Sequence, residues 1–272
     1  MHRDVSGGVP LHHFELARRH DRLTACVTSR HGGVSVGAYG SLNLAFHVPD
    51  EPAAVIENRR RACAALGLPL EALTMARQVH ADDIAVVDDT HRGAGSTDDA
   101  SAVGEADALI TATPGVLIGV MVADCVPVVV ADPSRRVVAV AHAGWRGTVA
   151  KVVTRVVETL IDRFGSAPGD LVAGIGPAIG PASYQIGPEV ADAARAAFPA
   201  NPELLRTAVD GSTHLDLWRA NAVQLEVMGV AAERIEVAGV DTRTATDEFF
   251  SDRAERPCGR FMALAAIGPS TS

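Results

Sequence analysis

The chain has 272 residues, 47% of them hydrophobic and 21% charged, with a formal net charge of −9. That composition is globular rather than disordered or fibrous. The acidic balance excludes a polyanion-binding surface, because the densest basic runs are only Arg18-Arg19 and Arg59-Arg60-Arg61, and two Trp with two Tyr leave little surface for stacking bases.

Residues 1–22 hold no apolar run of signal-peptide type, since His, Arg and Asp interrupt them. A strand is expected over 23–28, leading into the turn signal Arg30-His31-Gly32-Gly33. Residues 51–66 read as a helix, with Asp50 as its cap, Pro52 in the first turn and Gly67 behind the last. Strands follow at 84–88, 108–111, 116–122, 126–131 and 137–142. The last three are near-continuous runs rich in Val and Ile, the pattern of strands buried on both faces. The most apolar stretch, 116–131, is shorter than the ~20 residues of a membrane span and is broken by Asp124 and Pro127. A helix is expected over 148–164, a strand over 171–175, helices over 189–198 and 215–228, and closing strands over 234–240 and 261–267.

Strands alternate with helices, but the helices are too few for a regular βαβ series. The expected class is therefore α/β with an α+β character: mixed β-sheets flanked by helices. No repeat and no low-complexity linker divides the chain, so one domain over 1–272 is expected, with its core at about 23–268 and short tails. The four Cys (26, 63, 125 and 258) form no CxxC pair or disulfide framework, which points to a cytoplasmic, reducing location and no membrane association.

Three segments place reactive side chains at strand ends: Arg77-Gln78-Val79-His80, Ala123-Asp124-Cys125 and Ala141-His142-Ala143-Gly144-Trp145-Arg146-Gly147. Taken singly, Cys125 reads as a small buried hydrophobe and each His as a satisfied core residue. Taken together, a thiolate and two imidazoles suit Zn²⁺ with one coordination position left open, and zinc lowers the pKa of water it binds towards ~7. The same Cys and His without metal form a nucleophile–base pair. Residue types alone leave both readings open. A cytidine-deaminase signature is absent, because His13-Phe14-Glu15 matches its first part but Pro257-Cys258 lacks the second Cys. The glycines of 174–180 miss dinucleotide-loop spacing, and no His-x-His pair of the kind a multicopper oxidase needs occurs among the ten His.

These segments resemble the YfiH/YlmD-like family, known under laccase-domain and polyphenol oxidoreductase descriptions and as purine nucleoside phosphorylases. The match includes Arg30-His31-Gly32-Gly33, Ser41-Leu42-Asn43-Leu44, Glu57-Asn58-Arg59, Ala106-Asp107-Ala108-Leu109-Ile110-Thr111, Ala123-Asp124-Cys125-Val126-Pro127-Val128, the segment from His142 to Gly147, and Phe249-Phe250-Ser251. The resemblance implies a single-domain YfiH-like fold and zinc on His80, Cys125 and His142; copper suits that set of positions less well. It also implies phosphorolysis of adenosine, inosine and methylthioadenosine, with adenosine deamination as a second activity. An editing role in peptidoglycan-precursor synthesis is attached to some members. Likeness to a cysteine-dependent toxin deamidase keeps a metal-free Cys–His hydrolase in view. The expected partners are a nucleoside and phosphate, without nucleic acid, and a monomer is favoured. Phosphate needs guanidinium groups, for which Arg59 and Arg146 are candidates, with Asn43 as a hydrogen-bond partner for base or ribose and Asp124 as support for a ligand His. The chain departs from the family's usual residues at Ala81, Gln185, Asp241, Asp252 and Cys258.

Overall fold

A computed structural model describes residues 1–268. Among these, two six-stranded sheets pack face to face. The first runs β1 (His2–Ser6), β2 (Val9–His13), β3 (Leu23–Thr28), β15 (Phe261–Ile267), β7 (Leu117–Val122) and β4 (Leu73–Thr74). The second runs β14 (Ile235–Val237), β10 (Val172–Ile175), β8 (Val126–Asp132), β9 (Val137–Ala143), β6 (Ala108–Thr111) and β5 (Ile84–Val86). A small third sheet, β11 (Gln185–Ile186), β13 (Thr213–Leu215) and β12 (Leu205–Thr207), packs through Leu215, Leu205 and Ile186 into the cluster on the outer face of the second sheet. The expected mixed sheets flanked by helices are what the chain forms.

Alternation along the strands explains the layering, because successive side chains point to opposite faces. Val129 and Ala131 of β8 and Val138 and Val140 of β9 meet Ile118, Val120, Ala263 and Ala265 of the first sheet. Their neighbours Val126, Val128, Val130, Val137 and Ala139 face the other way, onto α4 (Val152–Phe164) and α6 (Leu217–Val227). On α4 the buried set is Val152, Val153, Val156, Val157 and Leu160, one stripe at helical spacing. The outer face of the first sheet is covered by α2 (Pro52–Ala65), where Ala62 and Cys63 pack on Leu117, Met262 and Leu264. The molecule thus has four layers: helix, sheet, sheet, helices. Strands covered on both faces are hydrophobic throughout, which is why β7, β8 and β9 read as continuous apolar runs.

Several expectations need correction. Residues before 23, expected as a tail, supply β1 and β2; β1 is almost fully exposed and polar, so it lacks a burial pattern. The expected tail falls partly on residues 269–272, outside the described residues. The helix expected over 148–164 is two, α3 (Trp145–Val149) and α4, separated by Lys151 in the left-handed region at φ 68°. Asp50 does not cap α2 through a helix N–H; Glu51 occupies the cap position, and Asp50 accepts from Ser35 and Asn43 instead. The remaining short helices are α1 (Glu15–Arg18) and α5 (Pro188–Ala197).

The candidate metal centre

Strand register brings the three ligand candidates together. The turn Ala123-Asp124-Cys125 carries the chain from β7 in the first sheet to β8 in the second. In the β8–β9 hairpin Val126 opposes Ala143 and Pro127 opposes His142, which places Cys125 beside Gly144. In the β6–β9 pair Ala108 opposes Ala141, so Asp107 comes opposite His142, whose N–H donates to the Asp107 carbonyl at 2.7 Å. His80 arrives on the segment that bridges Arg77 to Glu105, just upstream of Asp107.

The result is one cluster. The ligand atoms of His80, Cys125 and His142 all lie within 4.8 Å of one another, a separation that a single metal ion bridges with small side-chain adjustments. The two imidazoles meet edge to face with centroids 4.7 Å apart. His142 is buried, Cys125 partly so, and His80 is exposed, so the cluster is anchored inside and opens to solvent on one side.

Asp107 organises it. Its carboxylate is fully buried. Oδ1 accepts from His142 Nδ1 at 2.7 Å and from the His80 N–H at 3.0 Å, while Oδ2 accepts from the N–H groups of Val79 and Ala81 at 3.1 and 2.7 Å. The proton on Nδ1 leaves His142 Nε2 as the face turned to Cys125. The three convergent backbone donors hold the His80 turn, where His80 itself sits at φ 62°, a left-handed conformation that side-chain-bearing residues rarely adopt.

Electrostatics follow from this packing. Burial resists ionisation of Cys125, but the His142 charge and hydrogen bonds from His142 and His80 together outweigh it and bring the thiol below its ordinary range. Burial likewise opposes a charged His142, and the Cys125 thiolate with the Asp107 hydrogen bond overcome it, raising the imidazole's affinity for a proton. Asp107 is held below the usual carboxylate range; its burial is outweighed by His142 and the N–H groups of Ala81 and Val79. A thiol poised to ionise, an oriented imidazole and a second exposed imidazole form a donor set that fits a divalent metal of borderline softness. Among the described residues, no other group of three His, Cys, Asp or Glu side chains converges in this way.

Gly144 is required by the close approach. A Cβ there would stand 2.9 Å from Cys125 Sγ and 3.5 Å from the His80 ring.

The cluster lies at the junction of a two-lobed cleft. His80, Cys125 and Asp252 line both lobes. The larger lobe, about 510 Å³, is walled by His47, Arg77, Gln78, Asp99, Met121 and Arg260. The smaller, about 250 Å³, is walled by Trp145, Arg146, Tyr184, Arg253 and Arg256.

Of the other sequence candidates, Arg146 lines the smaller lobe. Arg59 does not reach the cleft. It is 1% exposed, lies over the Phe46 ring, and donates to the carbonyls of Leu44, Gly95 and Ser96. A guanidinium so used ties α2 to two loops and is not presented to a ligand. Asn43 is also fully buried, accepting from the Ala45 and Arg260 N–H groups and donating to Asp50, so it shapes the wall behind Arg260. Asp124 touches neither His. It accepts from the Thr242 and Ser251 hydroxyls and the Arg253 N–H, pinning the 251–253 loop beside the cleft, with its own backbone at φ 83°. The supporting carboxylate is Asp107, which the sequence offered only inside the segment 106–111.

These features define a class: a four-layered α/β protein with a His–Cys–His centre at the mouth between two sheets. Residues 24–268 match the family described as multi-copper polyphenol oxidoreductase laccase, and the chain belongs to that family. It is 40% identical over 242 residues to a protein of Geobacillus stearothermophilus named purine nucleoside phosphorylase YlmD, covering 88% of each chain. It is 35% identical to adenosine deaminase RL5 from an unknown prokaryotic organism, over 90% of this chain and 94% of that one. The crystal structure of YlmD from G. stearothermophilus superposes with a TM-score of 0.91 at 37% identity, over 96% of this chain and 97% of that chain. YfiH of Bacillus licheniformis gives 0.90 at 34% identity, with the same coverage.

Proposed function

We propose that the chain is a zinc-dependent purine nucleoside phosphorylase that acts on adenosine, inosine and methylthioadenosine and also deaminates adenosine. The observation that carries this reading is the His80–Cys125–His142 cluster opening onto a cleft whose larger lobe is of nucleoside size. The names of the relatives support the reaction class. Zinc fits the donor set better than copper does, since phosphorolysis and deamination transfer groups without redox change and a multicopper centre draws on many more His ligands.

Bound to the three residues, zinc supplies a Lewis acid for polarising water or a substrate oxygen. The chain's own residues do the rest. Asp107 holds His142 in the tautomer that presents Nε2, and Gly144 keeps the Cys125 sulfur accessible. In phosphorolysis a phosphate oxygen bonds C1′ as the C1′–N9 bond breaks. The electron pair passes to N9, and the proton lost by hydrogen phosphate ends on the departing base. In deamination a water oxygen bonds C6 of adenine and the bond from C6 to the exocyclic amino nitrogen breaks; one proton of that water leaves with the amino group as ammonia and the other ends on ring N1.

Cys125, His142 and Asp107 also stand in the order of a thiol–imidazole–carboxylate triad, and that geometry favours metal-free Cys–His hydrolysis as a second reading. One experiment separates the two. Zinc-loaded protein with adenosine and phosphate should release adenine and ribose 1-phosphate with some inosine, followed by chromatography. Stripping the metal with a chelator should abolish both products, and adding zinc back should restore them. Turnover that survives chelation would favour the triad, and no turnover of any of the three nucleosides would overturn the phosphorylase reading.

A further inference from the structure

The two lobes of the cleft differ in their unspent charge. In the larger lobe the guanidiniums are paired: Arg77 with Glu105 at 3.0 Å and Arg260 with Asp252 at 3.1 Å. In the smaller lobe Arg256 also pairs with Asp252, but Arg146 and Arg253 have no carboxylate partner among the described residues. Each is held by an aromatic face instead. Arg146 lies 4.4 Å over the Trp145 ring and Arg253 5.4 Å over the Tyr184 ring, with one Arg253 N–H given to the Gln185 carbonyl. Stacking fixes a guanidinium plane while leaving its donor edge free. Among the described residues the Tyr184 hydroxyl has no hydrogen-bond partner, and it is a further donor on this wall. Asp124, which lines the same lobe, is already satisfied by two hydroxyls and the Arg253 N–H, and Asp252 is engaged by Arg256 and Arg260. In a chain of net charge −9, two uncompensated guanidiniums beside a metal-ligand cluster form a local anion trap.

We propose that the smaller lobe is the phosphate subsite, with Arg146 and Arg253 gripping the dianion and Tyr184 donating to it, while the nucleoside occupies the larger lobe. The assignment rests on the phosphorylase reading and divides that one site into two. Planar guanidiniums match the tetrahedral oxyanion two donors at a time. The shared residues His80, Ala123, Cys125 and Asp252 then mark where phosphate and the ribose C1′ meet.

The test uses zinc-loaded protein, the variants Arg146→Ala, Arg253→Ala and Arg253→Lys, and the double variant Arg146→Ala with Arg253→Ala, with phosphate and adenosine varied separately. Each alanine variant should raise the KM for phosphate by about tenfold or more, the loss expected for a charge-assisted contact, and raise the ratio of inosine to adenine formed. Arg253→Lys should recover part of the phosphate affinity, since it restores the charge without the fork. Independently of turnover, phosphate should raise the melting temperature of the parent protein and not that of the doubly substituted one, with circular dichroism confirming that both are folded. An unchanged phosphate KM, or an adenosine KM raised as much as the phosphate KM, would overturn the subsite. A phosphate carried on the nucleoside offers the same chemistry. If these variants impaired deamination of adenosine 5′-monophosphate rather than the use of inorganic phosphate, the lobe would belong to a nucleotide and the proposal would fall. Were the parent protein inert towards nucleosides, the functional reading would fail, while the melting shift would still decide whether the lobe binds phosphate.

Discussion

The Asp107 carboxylate receives four hydrogen bonds, three from consecutive backbone N–H groups and one from the His142 ring. Replacing it with Asn leaves one carbonyl oxygen and turns an NH₂ group towards donors. Either the His80 turn or His142 then loses its acceptor. The expected result for Asp107→Asn is a 10- to 100-fold loss of zinc affinity, in line with other supports of metal-bound His, and a stability loss of about 1–3 kcal/mol from the stranded donors. Titration against a competing chelator, alongside denaturant unfolding, checks both, and an unchanged metal affinity would reduce Asp107 to a purely structural role. The ligand candidates stood out in the sequence because Cys125 lies between two apolar strands and His142 falls at the end of another. Asp107 was not, because an acid before a strand looks the same whether it caps a turn or faces a ligand. Only the register of β6 on β9 distinguishes them, and register is not written in residue type. Arg59 misled for the opposite reason: an Arg on a helix reads as available charge, and here three loop carbonyls consume it.

The end of β9 and the residue that joins it to α3 carry three consecutive positions with separate duties. His142 is a ligand candidate, Ala143 closes the hairpin, and Gly144 makes room for sulfur. Gly144→Ala places a methyl group 2.9 Å from Cys125 Sγ, nearer than van der Waals contact permits, so the sulfur or the turn must move. That overpacking should cost about 1–3 kcal/mol and lower both metal affinity and turnover while the far-ultraviolet circular dichroism stays that of the parent. Wild-type zinc affinity in this variant would show that the turn yields instead of the sulfur. At this scale the buried strands were read almost to the residue, since β3, β6 and β15 coincide with their expected spans. The elements missed were β1, exposed and polar on a sheet edge, β2, whose two His break its apolar pattern, and strands of only two or three residues, β4, β11, β12 and β13, too short to show a period. The break at Lys151 was invisible for another reason. Its neighbours keep helical spacing, and the left-handed residue is held in place by packing, with Lys151 Nζ 3.1 Å from the centre of the Phe198 ring.

Three buried clusters, one between the sheets and one on each outer face, hold the four layers together. The ligand candidates sit at the rim of this stack and contribute little to it. Folding should therefore not depend on metal, unlike small domains that are unstructured without zinc. Cys125→Ala should remove metal binding and activity, yet lower the melting temperature of the metal-free protein by no more than about 10 °C. Calorimetry on both proteins measures this, and loss of a cooperative transition would show that the centre is structural. No helix among the described residues is long and apolar enough to cross a membrane, in keeping with the interruption of the 116–131 run by a turn.

The position of β15 has a further consequence for the order in which the molecule can be built. It is the last strand in the described chain, yet it lies in the middle of the first sheet, antiparallel to both β3 and β7. A nascent chain that has emerged only as far as residue 260 can form the β1–β2–β3 ribbon and the β4–β7 pair, but nothing joins them. The second sheet faces no such delay, since β5, β6, β8, β9, β10 and β14 precede it on the ribosome. During synthesis the Cys125 turn therefore links a sheet that is already complete to one that is still open. Arg260, which precedes β15, reaches the cleft only when that last strand is inserted. A product that stops short of residue 261 lacks both the seam of the first sheet and one wall of the cleft, so the cleft is complete only once β15 has been made and inserted.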